Sequence, residues 1–458
     1  MTDTIAAIAT PFGSGGIGVI RISGPTSFDL AAKIFSKTPA HGEKKAPQFI
    51  SHRVSHGFIC DGDTTVDEVL VIPMKAPRSY TAEDVVEIQA HSGTIVLRRI
   101  LDLLFSLGAR PAEPGEFTRR AFLNGRIDLT QAEAVAEIIN ARSDSSLKFA
   151  ASQNLGVLRQ SIRDMISVLT QFLARLEAAI DFPDEAGAFS YTIEDKTTLQ
   201  SVADKIESLI QQHKDACFLK TGIRLAICGE PNVGKSSIMN RILEKEKSIV
   251  TAIPGTTRDP IEDNLTIEGI PFVIVDTAGI HQTDDLVEII GIEKARDQID
   301  AADIILYVIE PGKPFPGKTV SKILPEDKPI IFAINKMDLA DKLDLPQLPE
   351  KYADPSPIEV SALTGKGINT LRTKLLETCI GNLEIGNDAV IPNLRHKNAL
   401  VQALGHMTTM MEGLENGQEE ETLALDVKNC IDDLGTITGD TASLDILDAV
   451  FNNFCIGK

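Results

Sequence analysis

The sequence lacks tryptophan, any Cys-x-x-Cys pair, any long apolar run and any excess of basic residues. Each absence removes a class of protein. Cys60, Cys217, Cys228, Cys379, Cys430 and Cys455 are scattered, which reads as reduced thiols rather than a disulfide frame or zinc site. His52, His56 and Cys60 recur every four residues. Arg53, however, stands where a zinc-protease motif carries Glu, and SHRVSHGFIC alternates like a strand, so no metal site is expected there. No stretch approaches the roughly 18 apolar residues of a membrane span. MTDTIAAIATPF has no positively charged start before an apolar run, which argues against a signal peptide and for the cytoplasm. Sixty-five acids against 45 bases give a net charge of -20, which argues against a non-specific nucleic-acid binder but leaves a local basic patch open.

What remains is an ordinary globular composition, 43% hydrophobic and 24% charged, in 458 residues, enough for about three domains. The expected fold is multidomain, α+β followed by α/β. Residues 1–118 mix β-branched runs (VIRIS, EVLVIP, VVEIQA) with turns and one apolar helix, TIVLRRILDLLFSLGA, an α+β pattern. Residues 119–217 are predicted helical. From Asp128 apolar residues recur at three- and four-residue spacing without proline, and Thr130 with Glu133 reads as a capping box. Strands and helices alternate across 218–382, as in a doubly wound parallel sheet. After the linker GNLEIGNDAVIPN, helical periodicity returns over 383–458. The α/β unit therefore reads as an insertion into a helical domain. GSGGIG at 13–18 satisfies G-x-G-x-x-G, but a strand rather than a helix follows it, so the dinucleotide reading fails.

GEPNVGKS at 229–236 lies between a strand, RLAIC, and a helix, and matches G-x-x-x-x-G-K-[ST]. Its glycines let backbone N–H groups face phosphate oxygens, Lys235 supplies charge to the β and γ phosphates, and the Ser236 hydroxyl ligates Mg²⁺. Asn232, Val233, Gly234, Lys235, Ser236 and Ser237 are thus the phosphate-loop candidates. VIVDTAG brings Asp276 to Mg²⁺ through water and the Gly279 N–H to the γ-phosphate, with Thr277 and Ala278 between them. IIFAINKMD ends on Asn335, Lys336 and Asp338. An aspartate here accepts two donors from guanine, and adenine offers no matching pair. IEVSALTGKG supplies Ser361 and Ala362 beside the base. Four motifs in this order specify GTP.

The attacking water needs a different residue from the glutamine of Ras-like enzymes, because Ile280 follows DTAG. Asp284, Asp285 and Glu288 lie just downstream. In Thr251, Ala252, Ile253, Pro254, Gly255, Thr256 and Thr257, the last two threonines are candidates to cap the phosphates and Mg²⁺. The Asn232 amide oxygen is suited to a monovalent cation placed where an arginine finger would deliver charge. The chain ends on FNNFCIGK. Cys455 occupies the prenylation position, but Gly457 and Lys458 fit that signal poorly, and an ordinary helix end is the bland alternative.

GEPNVGKSS, AIPGTTRD, DTAG with GIEKA, NKMD, SAL and the terminal CIGK together resemble the MnmE/TrmE family of bacterial tRNA modification GTPases over the whole chain. The resemblance implies a Ras-like G domain and a K⁺-stimulated GTPase that dimerises across its nucleotide faces. It implies K⁺ at Asn232, Thr251, Ile253 and Thr256, Mg²⁺ at Ser236 and Thr257, and Glu288 organising the water. It implies a homodimer that joins an FAD-dependent partner in a heterotetramer. Together they add an aminomethyl or carboxymethylaminomethyl group to C5 of the wobble uridine of certain tRNAs. The carbon comes from a tetrahydrofolate derivative, in a 5-formyl or methylene form. The N-terminal domain then serves dimerisation and folate binding, with Arg21, Glu87 and Arg126 at the folate positions. Helical residues through Phe454 are expected to bring Cys455 and Lys458 to that site, in their own or the partner subunit. A carboxylate suits a pterin edge and arginines suit an anionic glutamate tail, although each residue alone equally suits a solvated ion pair. Arg126 stands where lysine is as frequent, which keeps the charge and alters the geometry. The rival is a GTP-switched ribosome-assembly protein, which needs neither folate nor the tail.

Overall fold

The computed structural model describes residues 3–458 except 12, 14, 41–47, 142, 183–190, 244–262, 268–269, 277–298, 318–319, 322–323, 326–327, 343, 350–355, 381–390 and 453. The chain divides into two units: residues 1–139, 151–208 and 394–458 form one, and 140–150 with 209–393 form the other.

The first unit begins with short alternating runs, and they pair as a mixed sheet. Its strands are β1 (Ile5–Ile8), β2 (Ile17–Ser23), β3 (Phe35–Ser36), β4 (Ser55–Asp61), β5 (Thr64–Met74), β6 (Val85–His91) and β7 (Arg110–Pro111), in the order β3-β4-β5-β6-β2-β1-β7. Only the β1–β7 pair is parallel. Period-2 patterning sorts the faces. Ile20, Ile22, Val86 and Ile88 point into a core shared with the helices Ser27–Ile34 and Thr94–Ser106. Arg21 and Glu87, cross-strand partners in the register, lie on the other face. The same alternation makes Ser55–Asp61 a strand, with His56 exposed and bonded to Glu68.

The helices of this unit come from both sides of the α/β insertion. Val157–Asp181 buries Leu158, Ile162, Met165, Leu169, Phe172 and Leu176 at three- and four-residue spacing. Glu420–Thr438 packs against it and against Leu394–Asn416. A buried polar contact ties the two halves: Arg395 forks onto Glu133 (Nε–Oε1 2.8 Å, Nη2–Oε2 2.9 Å), and buried His396 bonds the same carboxylate at 2.7 Å. This corrects the expected cap. Leu129–Asn140 is capped two residues earlier, where Gln131 N donates to Asp128 Oδ1 (2.8 Å) and Asp128 N to Gln131 Oε1 (3.1 Å). Glu133 is free of capping because its charge is needed in the core.

The second unit is the doubly wound sheet. β8 (Ile223–Gly229), β9 (Asp263–Ile267), β10 (Ile270–Asp276), β11 (Ile304–Ile309), β12 (Ile330–Ile334) and β13 (Ile358–Glu359) lie in the order β13-β12-β11-β8-β10-β9, with only β9 antiparallel. Both faces are covered, so the central strands are apolar throughout. Leu225 and Ile227 meet Ile238 and Ile242 of the helix Lys235–Leu243 and Leu371 and Leu375 of Ile368–Ile380. Ala226 and Cys228 face Ile299, Ala302, Val320 and Leu324. β8 has β10 on one side and β11 on the other, the switch point at whose carboxyl end such sheets bind ligands. Among the described residues, no helix is long and apolar enough to cross a membrane.

Candidate functional site: a nucleotide loop and a docked tail

At the end of β8 the chain turns through a loop that only its glycines permit. Gly229 has φ +143, and a Cβ there would lie 2.3 Å from Val308 O. Asn232 has φ +65, a left-handed conformation that asparagine tolerates better than most residues. Lys235 Nζ donates to the carbonyls of Gly229 and Glu230, both at 2.9 Å, which curls the loop around the ammonium. Ser236 and Ser237 are exposed at the start of Lys235–Leu243, whose first N–H groups favour an anion.

The base-recognition residues gather on that loop. Asn335 is buried: its Nδ2 donates to Val233 O (2.8 Å) and its Oδ1 accepts from Ala362 N (3.0 Å). It therefore bridges the phosphate loop and the SAL segment. Ser361 Oγ donates to Asp338 Oδ1 at 2.6 Å, which orients an otherwise exposed carboxylate. Lys336, at φ +63, pairs with Glu310. Val233, Gly234, Lys235, Asn335, Ser361 and Ala362 thus come together as one cradle. The donor set fits Mg²⁺ at the Ser236 hydroxyl and a guanine nucleotide between Lys235 and Asp338. Asp276 ends β10 beside β8. Thr251, Ala252, Ile253, Pro254, Gly255, Thr256, Thr257, Thr277, Ala278, Gly279, Asp284, Asp285 and Glu288 lie outside the described residues.

In the first unit, the C-terminal residues dock on their own N-terminal sheet. The last helix, Leu444–Phe451, stops three residues short of the expected Phe454, which is buried beyond it. Gly115 N donates to Cys455 O (3.4 Å), Phe117 N to Lys458 O (3.2 Å), and Arg21 Nη1 to Gly457 O (3.2 Å). Arg21 Nε also pairs with Glu87 Oε1 at 2.9 Å. Arg126 donates to Tyr80 O (2.6 Å), and both Arg21 and Arg126 stack on the Tyr80 ring at 5.0 and 5.1 Å. Burial, with the nearby Arg21 charge, holds the Lys458 amine below its usual range. The Cys455 residue is exposed. Two guanidiniums, one carboxylate and an aromatic ring form a set whose chemistry fits an anionic, aromatic ligand such as a folate.

Residues 4–126 match the family described as GTP-binding protein TrmE N-terminus, and residues 129–455 match the MnmE helical domain. The chain belongs to the MnmE family. It is similar to the tRNA modification GTPase MnmE of Geobacter metallireducens, at 41% identity over 100% of both chains. It is also similar to that of Clostridioides difficile, at 42% over 100% of this chain and 99% of the other. A crystal structure of the G domain of the T. maritima FeoB iron transporter is 26% identical over 34% of this chain and 98% of its own, at TM-score 0.25. The MnmE helical match, residues 129–455, runs across the α/β unit.

Three residues of this chain escape motif reading. Tyr80 carries both guanidiniums. Arg120 is wholly buried and joins Asp3, Glu83 and Glu116 by contacts of 2.9–3.1 Å, pinning β1, the turn before β6 and the helix Glu116–Leu123. Arg241 donates to the carbonyls of Ala362 (3.1 Å) and Leu363 (2.6 Å) and so secures the SAL segment. Nothing in sequence marks them, because each acts through partners far along the chain.

Proposed function

We propose that this chain is a K⁺-stimulated GTP hydrolase in a cytoplasmic tRNA-modifying complex. With an FAD-dependent partner, a homodimer of it installs an aminomethyl or carboxymethylaminomethyl group at C5 of the wobble uridine, and a tetrahydrofolate derivative supplies the carbon. Lys235 and the N-terminal N–H groups of its helix bind the phosphates, and Asp338, oriented by Ser361, selects guanine. Ser236 and Thr257 hold Mg²⁺, while Asn232, Thr251, Ile253 and Thr256 hold K⁺. These ions supply positive charge to the phosphate oxygens. Glu288 orients the water. Arg21, Glu87 and Arg126 bind the folate, with Cys455 and Lys458 at its side.

The observation that carries this reading is the docked tail. Residues 455–458 are fastened by three backbone acceptors beside Arg21 and Glu87, an arrangement for which GTP hydrolysis alone has no use. Mass spectrometry of wobble nucleosides from a strain lacking the protein tests it. Loss of the modified uridine is expected, and a normal nucleoside profile would sink the proposal.

A further inference from the structure

Among the described residues, the side chains of Asn335 and Asp338 find partners inside the GTP motifs, and that of Lys336 does not. Lys336 is held from outside them, by Glu310, the residue after β11. Glu310 is also bonded to Lys313, 2.6 Å from Oε1, and Lys313 Nζ stands 3.8 Å from the Glu230 carboxylate in the phosphate loop. Signs alternate along this row: Glu230, Lys313, Glu310, Lys336. Glu310 is the inner member, with its side chain only 11% exposed against 34% for Lys336 and 49% for Lys313. Its two ammonium partners, Lys313 first, hold its carboxyl below the usual carboxylate range. At Glu230 the row meets the carbonyl that already accepts from Lys235.

We propose that Glu310 is a positioning residue for the nucleotide, fixing Lys336 within an ionic strap that joins the base-recognition segment to the phosphate loop. The inference rests on the GTP site proposed above. A lysine stem has several free rotors, and ordering it at the moment of binding costs affinity. Its backbone is already held in a left-handed conformation that an L-residue adopts reluctantly. A carboxylate already bonded to the ammonium orders the stem in advance, which is preorganisation. The opposite electrostatic expectation makes the idea testable. Removing a negative charge near a polyphosphate should tighten binding if only the field matters.

The experiment uses the full-length protein, with steady-state GTP hydrolysis and GDP binding. Glu310→Gln is expected to raise KM and the GDP Kd about tenfold while kcat stays near the wild-type value. Glu310→Asp keeps the charge but loses reach, so it too should raise KM, and it serves if the glutamine variant folds poorly. In a Lys336→Met background, Glu310→Gln should add little, because the strap then has nothing to position. Unchanged KM in both Glu310 variants, tighter GDP binding, or full additivity with Lys336→Met would overturn the proposal. A wild-type protein that does not saturate with guanine nucleotide would instead remove the GTP reading on which it stands.

Discussion

Gly234 and Asn335 approach so closely that a Cβ on the glycine would lie 2.3 Å from Asn335 Nδ2. The contact lets Asn335 reach Val233 O, and Gly234 has φ +93, where side chains are strained. Gly234→Ala is therefore expected to push Asn335 out of its bridge and to weaken nucleotide binding at least about tenfold, with a left-handed penalty of roughly 1 kcal/mol besides. Fluorescent-nucleotide titration checks it, and near-normal affinity would mean that the bridge is dispensable.

Base choice follows from Asp338. Asp338→Asn replaces a double acceptor by an amide, and preference should pass from GTP to xanthosine triphosphate. Ser361→Ala should weaken GTP binding in the same assay without that change of preference, since the carboxylate survives and only its orientation is lost. Competition binding that leaves GTP preferred in Asp338→Asn would take this residue out of the pocket.

The cation and the water are separable. Hydrolysis in KCl is expected to exceed that in NaCl of equal ionic strength by about tenfold or more, with the roughly 10³–10⁵ that an arginine finger supplies as the upper bound. Glu288→Ala should keep nucleotide affinity and lose about a hundredfold or more in kcat. Equal rates in the two salts refute the cation, and normal turnover in Glu288→Ala transfers the role to Asp284 or Asp285.

Tail docking should matter for modification and not for hydrolysis. Gly457 has φ +94, and a Cβ there would meet Ile8 O at 2.3 Å. Gly457→Ala should undock residues 455–458, and Cys455→Ser or deletion of 455–458 should abolish wobble-uridine modification. GTPase rates should stay within about a factor of two in all three, as for independent sites. Full modification by the truncated protein would end this reading, and an isoprenoid mass gain on Cys455 would favour a lipid anchor.

The buried Glu133 gives an acid-dependent stability. Burial opposes its charge, but His396 and Arg395 outweigh it and hold its carboxyl well below the ordinary 4.5. The folded form thus keeps the carboxylate ionised where the unfolded chain takes up a proton. Its contribution is complete above about pH 4.5 and fades as pH falls below that. Glu133→Gln should lower stability by about 3–5 kcal/mol at neutral pH, by leaving Arg395 without its counter-charge. The melting temperature of the variant should also fall less steeply than that of the wild type between about pH 5 and about pH 3, across the carboxylate range. Parallel acid limbs would contradict the pair.

The sequence made the nucleotide cradle legible because its chemistry depends on contiguous motifs. Glycines, Lys235, Asn335 and Asp338 announce themselves within a few residues of a strand end, and near-continuous apolar runs mark β8 and β11 as central strands. Helix caps were less legible. Thr130-x-x-Glu133 and Asp128-x-x-Gln131 overlap in one stretch, and only the demand of Arg395 for Glu133 decides between them. Tyr80, Arg120 and Glu310 were invisible because a decisive partner of each, Arg126, Asp3 and Lys336 respectively, lies 26 to 117 residues away in the chain.

Glu133 and Arg395 are 262 residues apart, and that spacing imposes an order of events during synthesis. At roughly 5–20 residues per second, the carboxylate waits on the order of ten to fifty seconds for its guanidinium. Through that interval Leu129–Asn140 cannot enter its final core without burying an unmatched charge. The inserted G domain, whose sheet is contained in 209–393, has all its strands before the host helix Leu394–Asn416 exists. The nascent chain therefore holds a completed guest inside an unfinished host, and a chaperone that shields Leu129, Leu158 and Ile162 would act in that window.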